Sequence, residues 1–159
     1  MLDPLLADLR RIYEGDAWHG PSILDAIRDV TPAQAAARPI AGAHSIFELT
    51  HHMGAWIGET ASRLQGNPPG SPADGDFPPS SAIVDGAAWA DVCARLERRQ
   101  AELLEAVASF DAERLDEPVN PKNKGDASGP VSYRALLTGL AQHSAYHAGQ
   151  IVLLRKALS

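Results

Sequence analysis

The sequence predicts an all-α four-helix bundle that forms a single domain over residues 1–159. Apolar residues recur with helical periodicity in four long segments. None of these segments shows the strict alternation, bounded by hairpin turns, that is typical of strands. Two connections rich in proline and glycine, residues 66–80 and 116–131, separate the last three helices. Connections of this length favour a bundle with crossover loops over simple up-and-down hairpins.

The N-terminal part of the chain contains two helix-start signals of the same kind. Asp3-Pro4 combines an N-cap residue with proline at the first helical position, and the helix that it opens should stop near Gly15. A shorter helix is expected over residues 23–27. Thr31-Pro32 repeats the signal and predicts one or two further alanine-rich turns.

The three remaining helices are also marked by their ends. Ser45 and Glu48 form a capping box, which predicts a helix over residues 46–64. Residues 89–110 predict a third long helix, and Ser132 caps a last helix that runs nearly to the C-terminus. The expected core stripe of the third helix consists of Val92, Leu96, Leu103, Leu104 and Val107.

Composition and charge exclude several classes of function. The net charge of -6 argues against a nucleic-acid-binding surface, which would need clustered basic residues. No apolar run reaches the roughly 18 residues of a membrane span, and the first residues lack the features of a signal peptide. Cys93 is the only cysteine, so neither an intrachain disulfide nor a cysteine-based zinc site is possible. We therefore expect a cytoplasmic protein.

Two histidines of the last helix share one face. His143 and His147 are four residues apart, so their rings lie one turn apart on the helix surface. At about 100° per residue, both lie near the centre of the inward stripe. Two imidazoles at this spacing suit the chelation of one metal ion. The alternative is that each is a hydrogen-bonded core histidine, but a buried imidazole needs partners for both of its nitrogens, and a metal ion provides one of them. The predicted inward stripe consists of Leu136, Leu140, Ile151 and Leu154.

The adjacent histidines of helix 46–64 are separated by helical phase. His52 lies roughly 90° from the centre of the apolar face, where a neighbouring helix can receive it as a third ligand. His51 lies nearly opposite that face, and we expect it to be a solvent-exposed surface residue. The apolar face consists of Ile46, Leu49, Met53, Trp56, Ile57 and Leu64.

Two competing metal motifs fit poorly. The segment from His143 to His147 has no Glu after its first histidine, so it is not a zincin helix that carries its own general base. The Glu48-Leu-Thr-His51 segment matches the Glu-x-x-His motif of di-iron bundles, but the last helix has no matching Glu.

Three segments of the chain carry a family resemblance: Ala17-Trp-His-Gly-Pro-Ser, Ala43-His-Ser-Ile-Phe-Glu-Leu-Thr-His-His and Gln142-His-Ser-Ala-Tyr-His-Ala-Gly-Gln-Ile-Val-Leu-Leu-Arg-Lys. With them the chain resembles the DinB-like (YfiT-like) superfamily over nearly its whole length. This resemblance implies a four-helix bundle with up-down-down-up connectivity, often dimeric. It also implies a divalent ion, nickel or zinc, held by His52 rather than His51 and by His143 and His147.

Three functions are compatible with such a site. Three neutral imidazoles leave coordination positions for a small-molecule substrate, as catalytic metal sites do. The resemblance implies a metal-dependent S-transferase for a low-molecular-weight thiol such as bacillithiol or mycothiol. The alternatives are a hydrolase that uses metal-activated water, and a stress-associated metal-binding protein without turnover.

Other side chains have open roles at this stage. Glu59 is the best candidate for a hydrolase base, although a solvated helix position is the simpler explanation. Gln150 suits either the orientation of a histidine or an amide contact between helices, and His19 is expected at the mouth of the pocket. Cys93 is expected to be a small core residue. Three tryptophans can either anchor a homodimer or belong to the core: Trp18, Trp56 and Trp89.

Overall fold

A computed structural model describes residues 2–79, 84–120 and 131–159 of the chain. All regular secondary structure in these ranges is helical, so the all-α fold is confirmed. Residue 80 of the first predicted connection and residues 121–130 of the second lie outside the described ranges. The helices are α1 Asp3–Glu14, α2 Ile23–Ile27, α3 Pro32–Ala36, α4 Ile46–Leu64, α5 Gly86–Ala108 and α6 Tyr133–Ala157, with a short 3-10 helix at Ala112–Arg114.

The four long helices form the bundle. α4 packs against α5 and α6, and α1 packs against the same two helices from the other side. The pair α4 and α5 makes the most extensive contact. The two helices come close at Gly54, where a Cβ atom would be in ordinary contact with Leu96, 3.5 Å from its Cα atom. A side chain larger than that of alanine at this position would push the two helices apart.

Helix starts follow the predicted capping chemistry in most cases. The hydroxyl of Ser45 accepts from the Glu48 amide, and the Glu48 carboxylate accepts from the Ser45 amide. Thr31 makes the corresponding box at α3, and Ser132 caps α6. The expected cap of α1 is wrong, because Asp3 is already the first residue of that helix.

The third long helix is displaced towards the N-terminus from its predicted range. It begins at Gly86 rather than Trp89 and ends at Ala108. Its start is set by the Asp85 carboxylate, which accepts from the amide of Ala88. Aspartate is a preferred N-cap residue, so this signal was present in the sequence.

The core lies along the centre of the bundle. Of the stripe predicted for α5, only Leu104 is partly rather than fully buried. In α6, Leu137 is fully buried, whereas Leu136, which was predicted to belong to the inward stripe, is only partly buried. Cys93 is half-buried against the core, as expected, and burial raises the pKa of its thiol to about 11. This thiol is therefore protonated near neutral pH.

No described helix combines the length and the apolarity that crossing a bilayer requires.

Candidate metal centre

Three histidines from two helices meet at one point. His52 comes from the middle of α4, and His143 and His147 come from successive turns of α6. The Nε2 atom of His143 lies 3.0 Å from the Nε2 atom of His52 and 3.0 Å from that of His147. His52 and His147 are buried, and His143 is partly buried. The predicted residues are therefore together in space, and their nitrogen atoms could hold a metal ion.

The outer nitrogens of two of these rings are held by oxygen atoms. Nδ1 of His52 lies 3.1 Å from the backbone oxygen of Asp76 and 3.0 Å from its carboxylate. Nδ1 of His147 lies 2.6 Å from Oε1 of Gln150. The orienting role considered for Gln150 thus matches its position. These oxygens accept hydrogen bonds, so each Nδ1 carries the proton and each Nε2 presents its lone pair to the centre.

The donor set fits a cation. Nε2 of His52 and Nε2 of His147 carry no proton. A hydrogen bond among the three Nε2 atoms therefore needs a proton on Nε2 of His143, and that proton can serve only one of the two 3.0 Å contacts. The other contact then brings two lone pairs to 3.0 Å. An ion bonded at 2.0–2.1 Å to three nitrogens in tetrahedral geometry would place them about 3.3 Å apart, close to the observed spacing.

Burial favours the neutral form of His143 and His147, which is the form that ligates metals. Burial, together with the nearby His147 and His52 rings, lowers the pKa of His143 from its ordinary 6.5 to about 4, against an opposing effect of Asp76. Burial also lowers the pKa of His147, although its hydrogen bond to Gln150 acts in the other direction.

The connection after α4 covers this site, and His51 holds it in place. Nε2 of His51 lies 3.1 Å from the backbone oxygen of Asp74 and 3.3 Å from that of Gly75. His51 is only 8% exposed. The prediction that His51 faces solvent is therefore wrong. The 74–77 segment lies over the flank of α4 that was expected to face solvent, and it buries the His51 ring.

Aromatic stacking fixes the next part of the same segment. The Phe77 ring lies between those of His52 and His44, with centroid distances of 4.3 and 4.0 Å and nearly parallel planes. The Asp76 carboxylate also accepts from Nε1 of Trp56 at 2.7 Å. His52 is thus fixed by contacts to both its edge and its face.

A third contact ties the segment to α5. Arg99 donates from Nη2 and Nε to one carboxylate oxygen of Asp74, at 2.7 and 3.1 Å. Arg99 reaches it across Gly58, where a Cβ atom would lie 2.8 Å from the Arg99 Cδ atom. The absence of a side chain at Gly58 therefore gives Arg99 its path to the segment.

A cavity of about 500 Å³ opens beside the histidines, between α4 and α6. His52 and His143 form part of its wall, next to Asp76. Thr60 and Arg63 are its other polar lining residues. The remaining wall is apolar and consists of Trp56, Val131, Ala135, Leu136, Gly139 and Leu140. A ligand in this cavity would contact two of the three imidazoles.

Two side chains considered as helpers lie elsewhere. Glu59 accepts from Arg63 Nε at 2.8 Å and from the Gly70 amide at 2.9 Å, and it lines a separate depression. It is neither a base at the site nor a solvated residue. His19 is exposed and lies beside the fully exposed Trp18, in a groove on the opposite side of α6. The expectation that it lines the pocket mouth is wrong.

Sequence reasoning missed Asp76 and Phe77. Both lie in a proline-rich connection, 24 residues or more after His52, where no periodicity relates them to the helix. A carboxylate close to predicted histidine ligands is a recurring feature of metal sites. Asp74 and Asp76 were therefore the available signal, but their order along the chain does not say which one reaches His52.

Comparison with known proteins gives a family and a fold. The family model described as the DinB superfamily matches residues 16–151. A crystal structure of a conserved protein from Enterococcus faecalis is similar, with a TM-score of 0.70 and 15% identity. The match covers 99% of this chain and 96% of that chain, and at this identity it shows the fold alone. No curated protein matches the sequence significantly.

Proposed function

The chain belongs to the DinB superfamily, and from this membership and the three convergent imidazoles we propose that it is a divalent-metal-dependent enzyme. We propose His52, His143 and His147 as the metal ligands, with nickel or zinc as the ion. The observation that carries the proposal is the convergence of three Nε2 atoms through two 3.0 Å contacts, only one of which can be bridged by a proton.

The reaction that the site supports best is the transfer of a low-molecular-weight thiol to a small electrophile. A divalent ion at the three imidazoles would supply Lewis-acid chemistry, lowering the pKa of a bound thiol. The sulfur electron pair would form the new C–S bond, the leaving group would depart with the electrons of the broken bond, and the thiol proton would pass to solvent.

The protein's own residues would contribute orientation and shielding. Asp76 and Gln150 fix the tautomers of His52 and His147, so that each Nε2 remains available as a ligand. Trp56 and the leucines of α6 would exclude water from the electrophile and so limit its hydrolysis.

Thiol transfer is favoured over hydrolysis because Glu59, the expected general base of a hydrolase, lies outside the cavity. Glu59 is engaged by Arg63 and the Gly70 amide and does not line the cavity. Among the described residues, Asp76 is the only carboxylate of the cavity wall, and its Oδ1 already accepts from His52 and Trp56. A thiol with a lowered pKa loses its proton to water and needs no such base.

A hydrolase remains the second candidate because Asp76 lines the cavity with a side chain that is 55% exposed. Its second carboxylate oxygen would then act as the base for a water molecule. A metal-binding protein without turnover is the third candidate, since three histidines alone do not require a reaction.

Metal analysis tests the site itself. We expect about one divalent ion per chain in wild-type protein purified without chelators, and loss of that ion in His52→Ala, His143→Ala and His147→Ala. His19→Ala is the matched control, because this exposed histidine lies in a different groove. A wild-type protein that holds no stoichiometric ion, or triad variants that keep it, would contradict the proposal.

A paired activity screen distinguishes the three functions. Metal-loaded protein is assayed with monochlorobimane and a set of thiols, including bacillithiol and mycothiol, beside a panel of esters and amides. Conjugation that requires a thiol and is lost in His52→Ala but kept in His19→Ala supports the transferase. Thiol-independent hydrolysis with the same dependence identifies the hydrolase, and no turnover in either assay identifies the non-catalytic protein.

A further inference from the structure

The cavity beside the three histidines has a polar end and an apolar body. Its volume of about 500 Å³ is in the range of small-molecule sites, roughly 300–1,000 Å³. His52 and His143 form the polar end, whereas Trp56, Leu136 and Leu140 wall the body. A ligand with a polar group at the histidines would therefore place its remaining atoms against apolar side chains.

The charged groups of the cavity are already paired. Arg63 is the only cation among the described lining residues, and its Nε donates to the Glu59 carboxylate at 2.8 Å. Its Nη2 also donates to the backbone oxygen of Gly70 at 3.1 Å. A ligand carboxylate in the body would meet a guanidinium whose charge is already balanced by Glu59, so the free-energy cost of desolvating that carboxylate would be offset by little net attraction.

We propose that the body of this cavity binds an uncharged, apolar substituent of the substrate, an aryl group or a saturated chain, while the reacting group of the same molecule lies at His52 and His143. The inference rests on the proposed metal-dependent function and defines the class of its substrate. It assigns specificity to the apolar wall contributed by α4 and α6.

One position allows the cavity to be filled without disturbing the bundle. Gly139 lines the cavity on α6, and a Cβ atom there would have no neighbour within 4 Å. Gly149 is on the same helix with equally open surroundings, but it does not line this cavity. Gly139→Leu therefore fills the apolar body, and Gly149→Leu is its matched control with the same change in composition and helix propensity.

Three hydroxamates with the same metal-binding group test the apolar body in zinc-loaded protein. They are acetohydroxamate, octanohydroxamate and the monohydroxamate of suberic acid, in which a carboxylate replaces the terminal methyl group of the octanoyl chain. Each fully buried methylene contributes about fourfold to affinity, so burial of only two gives more than tenfold. We expect octanohydroxamate to bind at least tenfold more tightly than acetohydroxamate, and suberic monohydroxamate to lose at least tenfold relative to octanohydroxamate.

The variants connect this preference to the cavity. The chain-length preference should fall below about threefold in Gly139→Leu and stay at the wild-type level in Gly149→Leu. Equal affinity for the acetyl and octanoyl compounds, binding of the suberic compound as tight as that of the octanoyl compound, or identical behaviour of the two variants would overturn the inference.

A metal-free arm separates failure of this inference from failure of the metal site. N-phenyl-1-naphthylamine is uncharged, carries no strong metal-binding group, and fluoresces when it enters an apolar environment. Fluorescence that rises with metal-free wild type and Gly149→Leu but not with Gly139→Leu supports the apolar subsite even if no zinc is bound. The same response from all three proteins overturns it, whereas absence of zinc binding alone contradicts only the proposed metal function.

Discussion

The substitution Asp76→Asn removes the negative charge of a residue whose place at the site is evident from the structure and not from the sequence. The Asp76 carboxylate accepts from Nδ1 of His52 at 3.0 Å and from Nε1 of Trp56 at 2.7 Å. An asparagine has nearly the same shape and keeps one acceptor oxygen, but it loses the negative charge. That charge strengthens the hydrogen bond to His52 and makes its Nε2 a better donor to a cation.

The magnitude follows from the contacts that remain. Removing an outer hydrogen-bond partner of a metal ligand typically costs about 10–100-fold in metal affinity. The backbone oxygen of Asp76 still accepts from His52 at 3.1 Å, and solvent screens a carboxylate that is 55% exposed. We therefore expect the lower end of the range, about tenfold, which corresponds to ~1.4 kcal/mol.

The assay is a zinc titration of metal-free protein at pH 7 in competition with a chromophoric chelator. Asp91→Asn is the control, because it removes an exposed carboxylate of α5 that is paired with Arg95. Thermal unfolding of the metal-free variants checks that both are folded. An unchanged zinc affinity in Asp76→Asn, or an equal loss in Asp91→Asn, would refute the positioning role of Asp76.

Three further perturbations test other parts of the structure. His51→Ala should lower the free energy of unfolding by about 1–3 kcal/mol in urea titrations while metal stoichiometry is retained, because its ring binds loop carbonyls and not the centre. Glu48→Gln should cost about 1–3 kcal/mol at pH 7, because Arg38 loses a buried charged partner. Burial opposes ionisation of Glu48, but its hydrogen bonds and Arg38 outweigh burial and lower its pKa, so the wild-type advantage is complete above pH 4.5 and shrinks as the pH falls below it. Metal at 100 times its Kd should stabilise the wild type by about 2.7 kcal/mol in thermal unfolding, and His147→Ala should abolish this gain.

Each of these predictions has a result that contradicts it. An unfolding free energy of His51→Ala equal to that of wild type would mean that the loop is not anchored there. A Glu48→Gln deficit that grows towards acid would reverse the assigned pKa direction. Metal-induced stabilisation that persists in His147→Ala would locate the ion elsewhere in the protein.

Helical periodicity was a sufficient guide to the three histidines that meet between α4 and α6. The spacing of His143 and His147 predicted one shared face, and the phase of His52 predicted the flank that meets α6. The same reasoning failed for His51, because phase describes only which side of a helix faces its helical neighbours. The 74–77 segment covers the other side, and the periodicity of α4 gives no information about where that segment lies.

The side chains that contact the histidines of the site also could not be predicted from local sequence patterns. Glu59 has a phase close to that of His52, yet Arg63, one turn later, takes its carboxylate. Asp76 reaches Nδ1 of His52 because Arg99 and His51 hold the preceding residues of the loop. These pairings depend on the distances between elements far apart in the chain.

The sequence by itself determined the helices and most of their caps, most of the core, and the three helix positions that meet at the candidate centre: those of His52, His143 and His147. These features follow from interactions within a few residues, whose geometry the helix repeat imposes. Only the tertiary structure decided that Asp76 completes the surroundings of His52 and that an apolar cavity opens beside it. Both require the closure of a long connection onto the bundle, and the side chains that hold that connection become neighbours only when the chain is folded.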